Sequence, residues 1–319
     1  MNNPTHLDLE RGNCALCGSG RSEICASGND FEYETSPDVF HFVRCLDCDH
    51  QYLDPRPAAS ALDVIYPDNY YSFVGTTNPL VARLQRIWEG GKIRLYRDFV
   101  GSGSRSVLDV GCGDGRFLSL LREMGDPHWQ PVGLEFDAEA VATCREKGFE
   151  THCERIEEFA QRADQRGRFD AVLMLQLIEH VDDPALLCER VGDLLKPGGV
   201  FIIETPNLGG LDYRIFSGRW WGHYHFPRHW NLFNLRSLSR LLGATGFEIG
   251  RAEYLVSTSA WIISHRNYFK DRGWPRAWWR FFSYQNPVLL GVAVIVDSLR
   301  IRFGLETSNL RVIARKPAN

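Results

Sequence analysis

The chain has no apolar run long enough to span a bilayer. Its longest, VLLGVAVIV at Val288–Val296, is far short of the roughly 20 residues a spanning helix needs. The opening MNNPTHLDLERGN is polar and lacks the apolar stretch of a secretory signal. The nine cysteines are therefore expected as free thiols in a reducing, cytoplasmic setting, where metal binding is the commoner use. A general basic character is missing too: the net charge is −4. That figure hides an asymmetry. Residues 1–57 hold ten acids and four arginines, a formal −6, whereas 261–319 hold ten Lys/Arg and three acids, a formal +7. An acidic head grips phosphate backbones poorly, so no nucleic-acid partner is expected. The basic tail suits an anionic surface or ligand.

What is present is an ordinary globular composition in 319 residues, 44% hydrophobic and 24% charged, which suits one large domain with an appendage or two domains. The head, residues 1–57, contains two matched pairs, Cys14-Ala-Leu-Cys17 and Cys45-Leu-Asp-Cys48. Two such knuckles supply four thiolates in tetrahedral geometry to one Zn²⁺, a closed set whose role is structural. PDVFHFVRC between them alternates like a strand. The head is too poor in apolar residues to fold alone, so metal binding would supply part of its folding energy. His41 and His50 read as surface or packing residues. Residues 58–104 follow as a helical linker or lid, interrupted by YPDNYY, whose Tyr70 belongs either to the core or to a roof over the substrate.

From residue 105 to 319 strands and helices alternate, which implies a mostly parallel sheet. VLDV runs into Gly111-x-Gly113-x-Gly115 and then a helical pattern, a turn that lets backbone approach a ligand closely. Asp109 at the strand end would repel a pyrophosphate and suits a ligand with an ammonium group. PVGLE places Glu135 to accept ribose hydroxyls. Asp183-Pro184 reads as a helix start.

VLDVGCGDG, VGLE, FDAVLMLQLIEHVDDP and LKPGGVFIIETPN, in that order, resemble the class I S-adenosylmethionine (SAM)-dependent methyltransferases over about residues 105–250. The CxxC head with YPDNYY resembles zinc-ribbon methyltransferases of sugar and natural-product pathways. ERIEEFA and the LIEH segment are similar to ubiquinone-pathway O-methyltransferases. The resemblance implies a Rossmann-like sheet of seven strands with a reversed last hairpin, formed by FEIGR and LRVIAR. It implies SAM as cofactor, with Asp109, Gly111 and Gly113 at its methionine part and Glu135 at the ribose. Glu154, Arg155 and Ile156 fall beside the adenine, and Met174 and Leu175 lie under the cofactor.

The protein must then hold an acceptor in line and remove a proton from it. Histidine is the usual base near neutral pH. His180, in Gln176-x-x-Glu179-His180, is one candidate. The family's E-x-x-E-H metal pattern has a neutral amide at its first position here, so a catalytic metal is not expected. WGHYHFPRHW, at the acceptor side, offers His223, His225 and His229, with Tyr224 and Arg228 as candidate substrate contacts. His223 and His225 would share one face if extended. Asn234 can cap the helix that follows.

A helical insertion over residues 258–307 precedes the last strand. Its tryptophans and arginines, with the apolar run, suit peripheral contact through 274–302 with the inner face of a membrane. The expected function is SAM-dependent methyl transfer, favouring O-methylation, to a small-molecule, sugar or lipid-linked acceptor. RNA methylation and a noncatalytic SAM-binding scaffold are the alternatives.

Overall fold

The structure is a computed structural model and describes residues 6–67, 79–283 and 286–318. Tyr70 lies outside them. The head contains β1 (Leu9–Glu10), β2 (Ser22–Gly28), β3 (Phe40–Cys45), β4 (Gln51–Leu53) and β5 (Arg56–Pro57). β3 pairs antiparallel with both β2 and β4. Phe40 and Phe42 are fully buried on one face with His41 half-buried between them, and the alternation then breaks, because Val43 and Cys45 are buried as well while Arg44 faces water. A short α1 (Leu62–Ile65) and a long α2 (Pro79–Val100) follow. α2 buries Ile93 and Tyr96 against the main sheet.

The central layer is built by β6 (Arg105–Val110), α3 (Arg116–Met124), β7 (Trp129–Glu135), α4 (Ala138–Glu146), β8 (Glu150–Cys153), α5 (Ile156–Phe159), β9 (Phe169–Leu175), α6 (Pro184–Leu194) and β10 (Leu195–Pro206). α6 starts as its sequence predicts: Asp183 accepts from the N–H groups of Ala185 and Leu186, and Pro184 occupies the first turn. The chain continues through α7 (Leu211–Phe216), β11 (Asn231–Leu232), α8 (Leu235–Ala244) and β12 (Glu248–Leu255). The insertion forms α9 (Thr258–Asp271), α10 (Arg276–Phe281) and α11 (Pro287–Arg302), and β13 (Asn309–Arg315) closes the sheet. α8 carries a reciprocal cap between Asn234 and Ser237.

The seven strands run β12-β13-β10-β9-β6-β7-β8. β13 is antiparallel to both neighbours, and the pairings from β10 to β8 are parallel. From β6 the chain winds outward through β7 and β8, then returns to the other side of β6 with β9 and β10. Strand order reverses between β6 and β9, and in such sheets the ligand crevice opens beyond the carboxyl ends at that point.

The head does not stand apart. β11, nearly 180 residues downstream of β4, pairs with it as the fourth strand of the head's sheet, Asn231 opposite Tyr52. The head's core joins Phe40, Phe42 and Leu53 to Trp221, Tyr224, Phe226 and Leu232 from the β10–α8 connection. The reason is the apolar poverty of residues 1–57. Each large side chain buried contributes about 1.5–3 kcal/mol, and here the connection contributes more buried aromatics than the head.

Candidate active site

β6 carries Asp109 to the crevice, and the chain then turns through Gly111 and Gly113 with φ of 76° and 52°. A Cβ on Gly113 would meet nothing within 4 Å, so open space adjoins this backbone. A Cβ on Gly115 would lie 2.8 Å from Cys144 Sγ, which fixes glycine where α3 meets α4. Glu135, at the end of β7, accepts from Gly113 N at 3.0 Å and from Phe136 N at 2.8 Å. Asp109 is buried with no hydrogen bond or ion pair among the described residues. Burial, then the Glu135 charge, pushes its pKa up to about 7, against a lowering by Arg116. That guanidinium is committed to Glu89 at 2.6 Å. Two carboxyls beside an open turn, one lacking a counter-charge, fit a cationic ligand such as the ammonium and sulfonium of SAM.

β8 ends beside β7, with Glu154 N donating to Glu135 O at 3.2 Å. The Glu154 carboxylate pairs with Arg162 at 2.9 Å. Arg155 is exposed and leans toward Glu157 at 3.5 Å, and Ile156 is buried. Met174 is buried and Leu175 half-buried at the end of β9. Cys112 is buried and its thiol is pushed up by that burial, which suits a packing residue and not a nucleophile.

The histidines of WGHYHFPRHW do not lie along a strand. Gly222–Tyr224 forms a 3₁₀ turn and His225 has a φ of 41°, so His223 and His225 diverge instead of sharing a face. His223 has both ring nitrogens engaged: Nδ1 donates to Ser308 O at 3.1 Å and Nε2 meets Ser259 Oγ at 3.2 Å. His225 Nδ1 contacts Glu32 Oε1 of the head at 2.5 Å. His229 Nδ1 faces the carbonyl of His223 at 2.8 Å. A carbonyl only accepts, so Nδ1 bears the proton and Nε2 carries the lone pair. His180 Nδ1 lies 3.1 Å from Arg228 O and 3.0 Å from Tyr66 Oη. The same logic leaves its Nε2 as the acceptor.

His180 and His229 meet edge to face, ring centres 4.6 Å apart. Glu179, wholly buried, joins them: one ligand-type atom from each of the three residues lies within 4.8 Å of the others. Its Oε2 accepts from Thr205 at 3.0 Å, while Oε1 is buried without a partner. Burial pushes Glu179 up to about 8. Burial, with His225 adding to it, lowers His180 to about 3, and burial lowers His229 well below the usual imidazole value. Both rings are thus neutral at physiological pH, the state a proton acceptor needs. The trio is also the one histidine-bearing set among the described residues with metal-ligand geometry. Gln176 turns away from it, donating toward Asn309 Oδ1 at 3.3 Å.

Tyr224 and Arg228 are buried in the joint between head and loop. The Tyr224 hydroxyl accepts from Gly218 N at 3.1 Å. Arg228 donates to Asp30 through both terminal nitrogens. Burial alone would raise Asp30, but the Arg228 hydrogen bonds and charge hold its carboxyl below the usual range. Asp30 and Glu32 of the head contact this loop through Arg228 and His225, and sequence reasoning did not select them; Glu179, noted in the sequence only as part of Gln176-x-x-Glu179-His180, and Tyr66, in the YPDNYY stretch, lie against His180.

The four head thiols, of Cys14, Cys17, Cys45 and Cys48, converge within 4.8 Å, with Cys14–Cys48 and Cys17–Cys45 Sγ distances of 3.5 Å. Each knuckle closes through a left-handed residue, Gly18 at φ 74° and Asp49 at φ 64°, whose N–H bonds back to the carbonyl of the first cysteine. The sulfur set fits a tetrahedral zinc ion. His50 is buried on Asn231 Oδ1 at 3.0 Å, and His41 bonds Ser27, so both belong to packing.

The sheet order, the glycine turn and the acid at the end of β7 define a methyltransferase fold. The model of the Methyltransferase domain family matches residues 81–251, more than half of the chain, and the chain belongs to that family. It is similar to the ubiquinone biosynthesis O-methyltransferase of Xanthomonas oryzae pv. oryzae (strain PXO99A), 35% identical over 112 residues, covering 33% of this chain and 44% of that protein. It is also similar to the enzyme of that name from Methylococcus capsulatus, 28% identical over 145 residues, covering 44% and 55%. The chain thus spans about half the length of these curated relatives. Among solved structures, phosphoethanolamine N-methyltransferase 2 of Haemonchus contortus in complex with S-adenosyl-L-methionine matches at a TM-score of 0.50 and 16% identity, covering 93% of this chain and 68% of that one. At that identity the likeness speaks for the fold.

Proposed function

We propose that this chain is a SAM-dependent O-methyltransferase, acting on a hydroxyl of a small-molecule or lipid-linked acceptor. The observation that carries the proposal is the Glu179–His180–His229 cluster at the switch-point end of the sheet. SAM, when bound, supplies a methyl group activated by its sulfonium. Asp109 and Glu135 would hold its cationic and ribose parts, with Glu154, Arg155, Ile156, Met174 and Leu175 around the adenine and beneath the cofactor. His229 Nε2, its tautomer fixed by the His223 carbonyl, takes the acceptor's proton, with His180 beside it. A proton arriving on either ring is stabilised by the Glu179 carboxylate once that group is ionised. His223 and His225 hold the loop, tied respectively to Ser308 and to Glu32 of the head. Tyr224 and Arg228 set the loop's shape from behind. The names of the O-methyltransferase relatives support oxygen as the acceptor atom. Zinc at the four cysteines would hold the head that backs this loop, a structural role.

Incubating the protein with methyl-labelled SAM and fractionated quinone, sugar-nucleotide and glycolipid pools tests the proposal. Label in an O-methyl group, lost in His229→Ala, supports it. Tight SAM binding with no transfer to any pool would favour a noncatalytic scaffold.

A further inference from the structure

α11 is apolar on two sides and covered on one. Ala293 and Asp297 face inward, and Asp297 accepts from Trp261 Nε1 at 2.9 Å and from Ser257 N at 2.7 Å. Outward stand Val288, Val292, Ile295 and Leu299, at 67%, 53%, 61% and 51% exposure. Their spacing of four, three and four residues makes one continuous helical stripe. Phe303 and Leu305 extend the apolar surface just past the helix, and Trp274, Trp278 and Phe281 are exposed in and beside α10. An apolar helix face this long belongs against an environment that covers it.

The charge around these residues has one sign. Between residues 272 and 305 stand Arg272, Arg276, Arg280, Arg300 and Arg302, and the only acid, Asp297, is buried. Arg276, Arg280 and Arg302 have no carboxylate within 4 Å among the described residues. Arg266, Arg276 and Arg280 line a cavity of about 370 Å³ with Trp279 and Phe282, and Arg266 Nε is buried there without a hydrogen-bond partner. Guanidinium groups beside tryptophan and exposed aliphatics match the headgroup–acyl boundary of a membrane, where phosphates meet the cations and chains meet the apolar face. A second copy of the chain packed symmetrically on this face would bring its own arginines against these, a like-charge contact that costs affinity. No helix among the described residues is long and apolar enough to cross a membrane.

We propose that α10 and α11 dock on the surface of an anionic phospholipid bilayer, the α11 stripe entering the interface and the arginines binding lipid phosphates. The docking has a direct structural path to the acceptor loop. α9, on which both helices pack, touches Gly222 so closely that a Cβ there would lie 2.7 Å from Ile263 Cβ, and Ser264 Oγ accepts from Gly222 N at 2.8 Å. The adjacent His223 holds His229. Bilayer docking therefore sets the acceptor loop at the membrane, where a lipid-linked hydroxyl resides. This last step rests on the function proposed above, whereas the docking itself does not.

Flotation of the full chain with phosphatidylcholine vesicles, with and without phosphatidylglycerol, tests the docking. The wild type is expected to float with the anionic vesicles and to stay behind with the zwitterionic ones. Val292→Glu with Ile295→Glu, and separately Arg276→Glu with Arg280→Glu, are expected to abolish flotation while SAM affinity and far-ultraviolet circular dichroism stay unchanged. Arg276→Ala alone should weaken partitioning about fivefold. Wild type that ignores anionic vesicles, or glutamate variants that float like wild type, would overturn the proposal. So would sedimentation showing a dimer that Ile295→Glu dissociates, in place of flotation. Flotation without methyl transfer would sink the proposed activity and leave the docking standing.

Discussion

Arg228 of the acceptor loop and Asp30 of the head form an ion pair at 2.9 Å with both side chains shielded completely from solvent. Arg228 Nε also donates to Ile65 O at 2.5 Å, and its guanidinium lies 4.4 Å from the Tyr33 ring. The pair fastens head to loop from the inside. Removing one partner leaves a buried charge without its counter-ion, at a cost of about 3–5 kcal/mol. Asp30→Ala should therefore lower the unfolding free energy by about that amount in denaturant titration. Because the folded pKa of Asp30 is depressed, the pair's contribution is present above the unfolded value of 3.8 and is lost as pH falls through the folded value.

Glu179 gives a pH signature. Its folded pKa is raised to about 8 by burial, so the carboxylate that steadies a histidinium forms only as pH rises through that value. Turnover under saturating substrates should climb across this range and level off above it. Glu179→Gln should flatten that limb and lower the plateau. An unchanged rising limb in the variant would assign the titration to another group.

His229→Ala removes the proposed proton acceptor. A positioned base contributes about 10²–10⁴-fold, so turnover should fall by that order while SAM affinity stays within a few-fold. His223→Ala loosens the loop instead, and its first effect should be on acceptor KM.

Asp109 links cofactor affinity to pH. With a pKa near 7 it is partly protonated at neutrality, and a bound cation favours its ionised form. SAM binding should release protons near pH 7, and affinity should strengthen as pH rises through that region. Calorimetry in buffers of different ionisation enthalpy reads the proton count directly. Asp109→Asn should bind SAM more weakly and release no proton from this site.

The cysteine cluster should contain one zinc per chain by elemental analysis. Cys45→Ser, or chelation, should loosen the head and with it β11, which pairs with β4. Turnover is then expected to fall while SAM affinity holds, because the glycine turn belongs to the central sheet.

The strand, glycine turn and helix of β6 to α3 were legible because their signals are local and consecutive in sequence. The same holds for the two knuckles and for the Asp183 and Asn234 caps. The joint of head and loop was not legible. Asp30 and Arg228 are 198 positions apart, and His50 finds Asn231 across 181. Polar residues of this kind read as surface in a sequence, and only the shared core turns them inward. The shared face that His223 and His225 would have if extended does not form, for a local reason: a 3₁₀ turn and a left-handed His225 break the period-two pattern.

The most direct test of the account follows the methyl carbon. Methyl-labelled SAM is incubated with wild type or His229→Ala and with membrane-extracted quinone and glycolipid pools, and the product is read by carbon NMR. Wild type is expected to give an O-methyl resonance, and His229→Ala to lose it by at least about a hundredfold. Label on carbon or nitrogen, at a rate His229→Ala does not change, would contradict this expectation.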